Sequence, residues 1–150
     1  MALTRQEEIV LNFIGAYRES WPADLAAALE PLAEDAYYQI VVPTIAPVVG
    51  RDKILAEHLL MKQKSTEQRH DMKSWGSNGN TVFTERVDWS RRNGKWSAVP
   101  LVAVFELNDG GQIIEWREYL DLIHISKSHG MTADELIESL DLEAHVGPGV

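Results

Sequence analysis

Between residues 67 and 122 the chain alternates four segments of strand character with three tight-turn pairs, Asn78-Gly79, Asn93-Gly94 and Asp109-Gly110. Asparagine, aspartate and glycine tolerate the positive φ that short hairpin turns demand, so consecutive segments fold back beside one another. The pattern predicts strands near 67–75, 80–90, 96–107 and 112–122, joined as an antiparallel sheet.

One face of that sheet carries charge where apolar side chains are expected. Residues two apart share a face, so Arg86 and Asp88 lie with Val82 and Thr84, and Glu118 lies with Ile114, Trp116 and Leu120. Burying a lone carboxylate costs on the order of several kcal/mol or forces it to take up a proton, so an inward Glu118 calls for a cation or a second acid. Arg86 supplies a forked donor, and Asp88 completes a carboxylate, guanidinium, carboxylate cluster. Two acids on one arginine titrate apart, which suits acid/base catalysis near neutral pH. The same residues also fit a structural ion pair inside a barrel, and the pattern leaves both readings open.

Helices precede the sheet. Thr4 and Glu7 form a capping box ahead of Val10, Phe13, Ile14 and Tyr17 at helical spacing. Pro22 is expected to open a second helix carrying Leu25, Ala28, Leu29 and Leu32. A short strand around Ala36 to Val42 follows, and Gly50-Arg51-Asp52 leads into a third helix with Ile54, Leu55, His58, Leu59 and Met61. Three helices on one face of an antiparallel sheet predict an α+β layer architecture with a concave interior. Thr132 and Glu135 mark a last helix, about 131–142, carrying Leu136, Ile137 and Leu140. Its acidic series of Asp134, Glu135, Glu138, Asp141 and Glu143 reads as a solvated face, and Gly147-Pro148-Gly149 as a loose tail.

A length of 150 residues with 45% hydrophobic content suits a single domain, core about 5–125, and no repeat or linker interrupts it. The net charge of −9 opposes binding to nucleic acid or to anionic lipid. Arg91, Arg92 and Lys95 sit around a turn and read as solvated. The absence of cysteine excludes disulfides and thiolate chemistry and fits a reducing cytoplasm. Met1 to Glu8 lacks the apolar core of a signal peptide, and the apolar run Ile40 to Val49 is broken by Pro43 and Pro47 and is too short to span a bilayer. A cytoplasmic protein with neither membrane nor nucleic-acid partner is expected. His58, His124, His129 and His145 share no metal-ligand spacing, and the chain has no glycine-rich phosphate loop or nucleophile elbow. No metal and no cofactor are expected.

The element order, together with Tyr38-Gln39, Gly50-Arg51-Asp52, Thr84-Glu85-Arg86-Val87-Asp88, Val104-Phe105-Glu106 and Trp116-Arg117-Glu118-Tyr119, resembles the limonene-1,2-epoxide hydrolase family from about Gln6 to Ile125. That family belongs to the nuclear-transport-factor-like, ketosteroid-isomerase-like (SnoaL-like) superfamily, whose fold is a cone-shaped curved sheet packed against N-terminal helices. The resemblance implies that Tyr38 positions water, Arg86 bridges the two acids, Asp88 protonates the epoxide and Glu118 is the general base. Two departures stand out: the family has aspartate where this chain has Glu118, and asparagine where it has Ile40. Isoleucine cannot hold a water, and Gln39 or Thr44 is the remaining candidate to do so.

The resemblance also places His70 on the pocket wall, where an apolar residue is expected and where a histidine could serve as a second acid or base. Tyr17, Ile40, Met61, Met72, Val99, Leu101, Ala103, Trp116 and Leu120 are expected to line a cavity for a bulky apolar or aromatic ligand. Three functions fit: epoxide hydrolysis by water, a cofactor-independent lyase acting by dehydration or carbon–carbon cleavage, for example on a lignin-derived diaryl compound, and non-catalytic binding of a hydrophobic molecule. By resemblance a homodimer is expected, paired through an outer sheet face bearing Phe83, Val87 and Trp89.

Overall fold

A computed structural model describes residues 2–21 and 23–140, apart from the side chain of Lys62. The expectations placed on Pro22 and on the segment from Asp141 onward lie outside the described residues. Helix α1 (Arg5–Ser20) starts at the anticipated capping box, with Thr4 Oγ1 accepting from the Glu7 N–H and the Glu7 side chain accepting from the Thr4 N–H. It buries Val10, Phe13, Ile14 and Tyr17.

Helix α2 (Leu25–Ala28) is a single turn capped by Asp24, and Leu32 is not part of it. Pro31 explains the early stop, because a proline disfavours helical backbone in the residue before it. Strand β1 therefore begins at Leu32 and runs to Gln39, four residues earlier at its start than expected from Ala36 and three earlier at its end. Beyond it the chain turns through Ile40 to Ile45, with a cis Val42–Pro43 bond and Val41 at φ 54. A β-branched residue in that left-handed region carries strain of roughly 1–2 kcal/mol. The Val42 N–H donates to the Glu118 carbonyl at 3.1 Å and fixes the turn against the last strand.

After the short β2 (Val48–Val49) and helix α3 (Arg51–Lys62), three long strands follow, β3 (Glu67–Asn78), β4 (Thr81–Arg92) and β5 (Lys95–Leu107), then β6 (Ile113–Leu120). Asn93 and Gly94 both take positive φ, as a two-residue hairpin requires. At the third turn the left-handed residue is Gly111 rather than Asp109 or Gly110. A Cβ on Gly111 would come within 2.9 Å of Arg5 Nη2 and 3.0 Å of Ile9 Cδ1, so glycine is also what lets α1 approach.

The six strands form one curved, unclosed sheet in the order β2-β1-β6-β5-β4-β3. The pairs β3–β4, β4–β5 and β5–β6 are antiparallel, whereas β1 lies parallel to β6, with Tyr38 opposite Trp116. The core fills the concave side, where Phe13 of α1 meets Phe105 and Trp116 edge-on at 6.0 and 5.2 Å between centroids. Residues 121–122, expected to end the last strand, instead begin helix α4 (Leu122–Ser128), because the Asp121 carboxylate accepts from the N–H groups of Ile123 and His124. Helix α5 (Ala133–Leu140) follows. Among the described residues no helix is long and apolar enough to cross a membrane.

Candidate active site

The alternation of β4 and β6 aims Arg86, Asp88, Trp116 and Glu118 into the concave side, and the curvature of the sheet brings the two strands' charges together. Arg86 Nε donates to Asp88 Oδ1 at 2.8 Å and Nη2 to Asp88 Oδ2 at 3.2 Å. Nη2 also donates to Glu118 Oε1 at 2.8 Å, and Nη1 to Thr84 Oγ1 at 3.1 Å. The cluster expected from the strand pattern is thus present, with a fourth member, Thr84, that fixes the guanidinium plane. The Trp116 indole N–H donates to the same Glu118 Oε1 at 3.1 Å.

Burial separates the two acids. The Glu118 side chain is 7% exposed and that of Asp88 is 26%. Burial raises the Glu118 carboxyl to about 7; Arg86 pulls it down, Asp88 pushes it up, and the hydrogen bonds from Arg86 and Trp116 lower it. Burial alone would weaken the Arg86 cation, but attraction to Asp88 and Glu118 and the bonds to both outweigh it, so its pKa is raised. A guanidinium that cannot lose its proton holds a carboxyl poised to exchange one near neutrality.

Tyr38 and Trp116 lie 4.5 Å apart between ring centroids, beside Glu118. Burial, and next the charge of Glu118, raises the Tyr38 hydroxyl well above its ordinary range, so it stays neutral. Gln39 is not free to hold a water: its amide N–H donates to the Ile45 carbonyl at 2.7 Å and its oxygen accepts from Tyr37 at 2.8 Å. Thr44 is exposed, outside the cavity. Ile40 lines the cavity as an apolar wall.

His70 also lines the cavity, with Nε2 3.9 Å from Asp88 Oδ1, beyond hydrogen-bond reach, and its ring stacked 6.1 Å from that of Tyr17. Burial lowers its pKa, and the charge of Asp88 opposes the shift. Met61, Val99, Leu101 and Leu120 complete the apolar lining. Met72 instead faces a neighbouring hollow beside α1, with Leu11 and Trp75, and Ala103 is fully buried in the core.

Some contacts were not visible in the sequence. The Tyr17 hydroxyl is 2.6 Å from His58 Nδ1, joining α1 to α3 in the cavity wall. Burial lowers His58 to about 3, so the ring is neutral, stacked 5.4 Å from Trp116. Ser90 and Arg92 continue the inward alternation of Arg86 and Asp88, a period-two signal that could have been followed to the end of β4. His129, from the far end of α4, lines the cavity too and had no local signature. Among the described residues no group of three His, Asp or Glu side chains is placed to hold a metal ion.

The sequence profile of the limonene-1,2-epoxide hydrolase catalytic domain matches residues 4–130. The chain belongs to the limonene-1,2-epoxide hydrolase family. Among solved structures, it is similar to an epoxide hydrolase of this family from M. tuberculosis, with a TM-score of 0.65 and 20% identity over 81% of this chain and 89% of that one. It also resembles a protein described as a SnoaL-like polyketide cyclase from a Jannaschia species, with a TM-score of 0.70, 16% identity and coverage of 85% and 96%. An NTF2-like protein of unknown function from an Exiguobacterium species matches with a TM-score of 0.65, 13% identity and coverage of 75% and 98%. At these identities the likeness shows the shared fold. Comparison with curated proteins gives no match. Membership of the limonene-1,2-epoxide hydrolase family places the chain among small-molecule-converting enzymes of the NTF2-like, SnoaL-like superfamily.

Proposed function

We propose that this member of the family is a cofactor-independent epoxide hydrolase acting on a bulky hydrophobic or aromatic small molecule. The observation that carries the reading is the Arg86 bridge between Asp88 and the deeply buried Glu118 in an apolar cavity. The reacting form holds one proton between the two acids, on Asp88, with Glu118 ionised; Glu118 then removes a proton from water as the water oxygen bonds to an oxirane carbon. The carbon–oxygen bond breaks, Asp88 gives its proton to the leaving oxygen, and the diol departs. The cluster returns to its starting state when the proton gained by Glu118 passes to Asp88, and Arg86 stays protonated throughout. Tyr38 and the Trp116 indole orient the water and the base, in place of the amide that Ile40 lacks.

Incubation with a panel of bulky epoxides in oxygen-18 water is expected to label one diol oxygen. An absence of diol from every epoxide would overturn the reading.

Ile40 and His70 support a second reading, a lyase in which no nucleophilic water is needed. Glu118 or His70 removes a substrate proton while Asp88 and Arg86 assist the departing oxygen. His70→Ala tests its part: a His70-dependent elimination loses its rate, and an unchanged rate removes that chemistry. Phe83 is 43% exposed on the outer sheet face, with Val102 and Tyr119 at 41% and 42%, which supports pairing of two copies there, whereas Val87 and Trp89, expected beside Phe83, are only partly exposed. The soluble-type fold and the lack of cysteine support a cytoplasmic setting.

A further inference from the structure

Arg92 stands apart from the other arginines. Arg18, Arg69, Arg86, Arg91 and Arg117 each pair with a carboxylate, and Arg5 and Arg51 donate to backbone carbonyls. Arg92 is half-buried, and among the described residues neither an acid nor a carbonyl meets it; its Nε is enclosed and without a partner. His129, brought from α4, lies close enough for the Arg92 charge to act on it, and both of its ring nitrogens are likewise buried without partners. Both residues line the same cavity as Asp88 and Glu118.

Unmet donors of this kind are expensive unless a ligand satisfies them. The charge at the inner cluster compensates itself, with Arg86 shared between two acids, so the positive charge of Arg92 is left over near one end of the cavity. In an acidic chain of net charge −9, Arg92 occupies an inward-facing strand position, lines the cavity and meets no acid among the described residues. Arg86, Asp88, Ser90 and Arg92 form a row on one face of β4, and four strand residues put Asp88 and Arg92 roughly 13 Å apart along the backbone.

We infer that Arg92 and His129 form a subsite for a substrate carboxylate, so that the preferred substrate carries its reacting centre at Asp88 and an anionic group at the other end of an apolar body. The planar guanidinium fork offers two parallel N–H groups to the two carboxylate oxygens, and a neutral His129 adds one N–H. The assignment deepens the proposed enzymatic reading by naming the substrate class of the same cavity, but it concerns binding alone and does not depend on which bond reacts.

Calorimetric titration of the full chain with 4-phenylbutanoate and with its uncharged amide tests it. The acid is expected to bind at least tenfold more tightly at low salt, with the preference shrinking as salt rises. Arg92→Gln is expected to abolish the preference while amide affinity stays unchanged; Arg92→Lys, which keeps the charge but not the fork, retains part of it. Thermal melting of each variant checks that it folds, and the wild-type comparison stands without any variant. Equal affinities for acid and amide, failure of the acid to bind at millimolar concentration, or a full preference surviving in Arg92→Gln would each overturn the assignment. Because no turnover is measured, a failure of epoxide hydrolysis leaves this result intact, and a failure here leaves the hydrolase reading intact.

Discussion

The sheet carries two clusters of one arginine between two acids, one on each face. Inside, Arg86 joins Asp88 and Glu118; outside, Arg117 bonds Glu106 at 2.9 Å and also Glu115. The outer arginine is 21% exposed and its acids 38% each, whereas Arg86 is 3% exposed and Glu118 7%. In the outer cluster the bond from Arg117 leads in lowering Glu106, while burial leads in raising Glu115, both modestly. In the inner one burial lifts Glu118 to about 7. The residue types are the same, and the deeper burial of Glu118 is the leading cause of its higher carboxyl pKa.

Breaking the inner cluster should therefore have the larger consequences. Glu118→Gln and Asp88→Asn are each expected to lower kcat by about a thousandfold, in the range for loss of a general acid or base, whereas Glu106→Gln leaves it within twofold. Steady-state kinetics on a substrate found in the epoxide panel measures this. Arg86→Ala strands two acids without their cation and is expected to cost about 3–5 kcal/mol in urea unfolding, against less than about 1 kcal/mol for Arg117→Ala.

Stability against pH sharpens the contrast. Folding raises the Glu118 pKa from 4.5 to about 7, so the folded state holds a proton that the unfolded chain has already lost. The associated stability is full below pH 4.5 and is lost as pH rises through 7, by about 3 kcal/mol. His58, depressed from 6.5 to about 3, acts in the opposite sense, stabilising above pH 6.5 and losing that contribution as pH falls towards 3. Denaturant melts of Glu118→Gln are expected to lack the loss between pH 5 and 7 and to keep the acid-side loss. Tyr17→Phe leaves His58 Nδ1 unmet and is expected to cost about 1–3 kcal/mol, measured by the same melts.

The hairpins and the inner cluster were legible in the sequence because both are local, one in dipeptides and the other in period-two alternation. Arg86 to Asp88 is a spacing of two, and Glu118 reveals itself as the lone charge on its strand face. The Trp116 indole bond to Glu118 has that same spacing, yet alternation predicts a shared face and not an aimed donor. The Tyr17–His58 pair and the approach of His129 to Arg92 depend on how helices dock, which no window of sequence contains. The parallel pairing of β1 with β6 is of the same kind, since more than seventy residues separate Tyr38 from Trp116. Leu32 was misplaced because a helical spacing of apolar residues ran on past Pro31, whose backbone restriction overrides it.

The turn after β1 hangs from the backbone of residue 118 itself, through the Val42 N–H. Remodelling residues 41 to 45 would thus shift the Ile40 wall and the carboxyl-bearing peptide in concert, leaving the guanidinium in place. Evolution or an engineer has there a lever for resizing the chamber and re-aiming the Glu118 carboxyl in one stroke, without replacing any charged side chain.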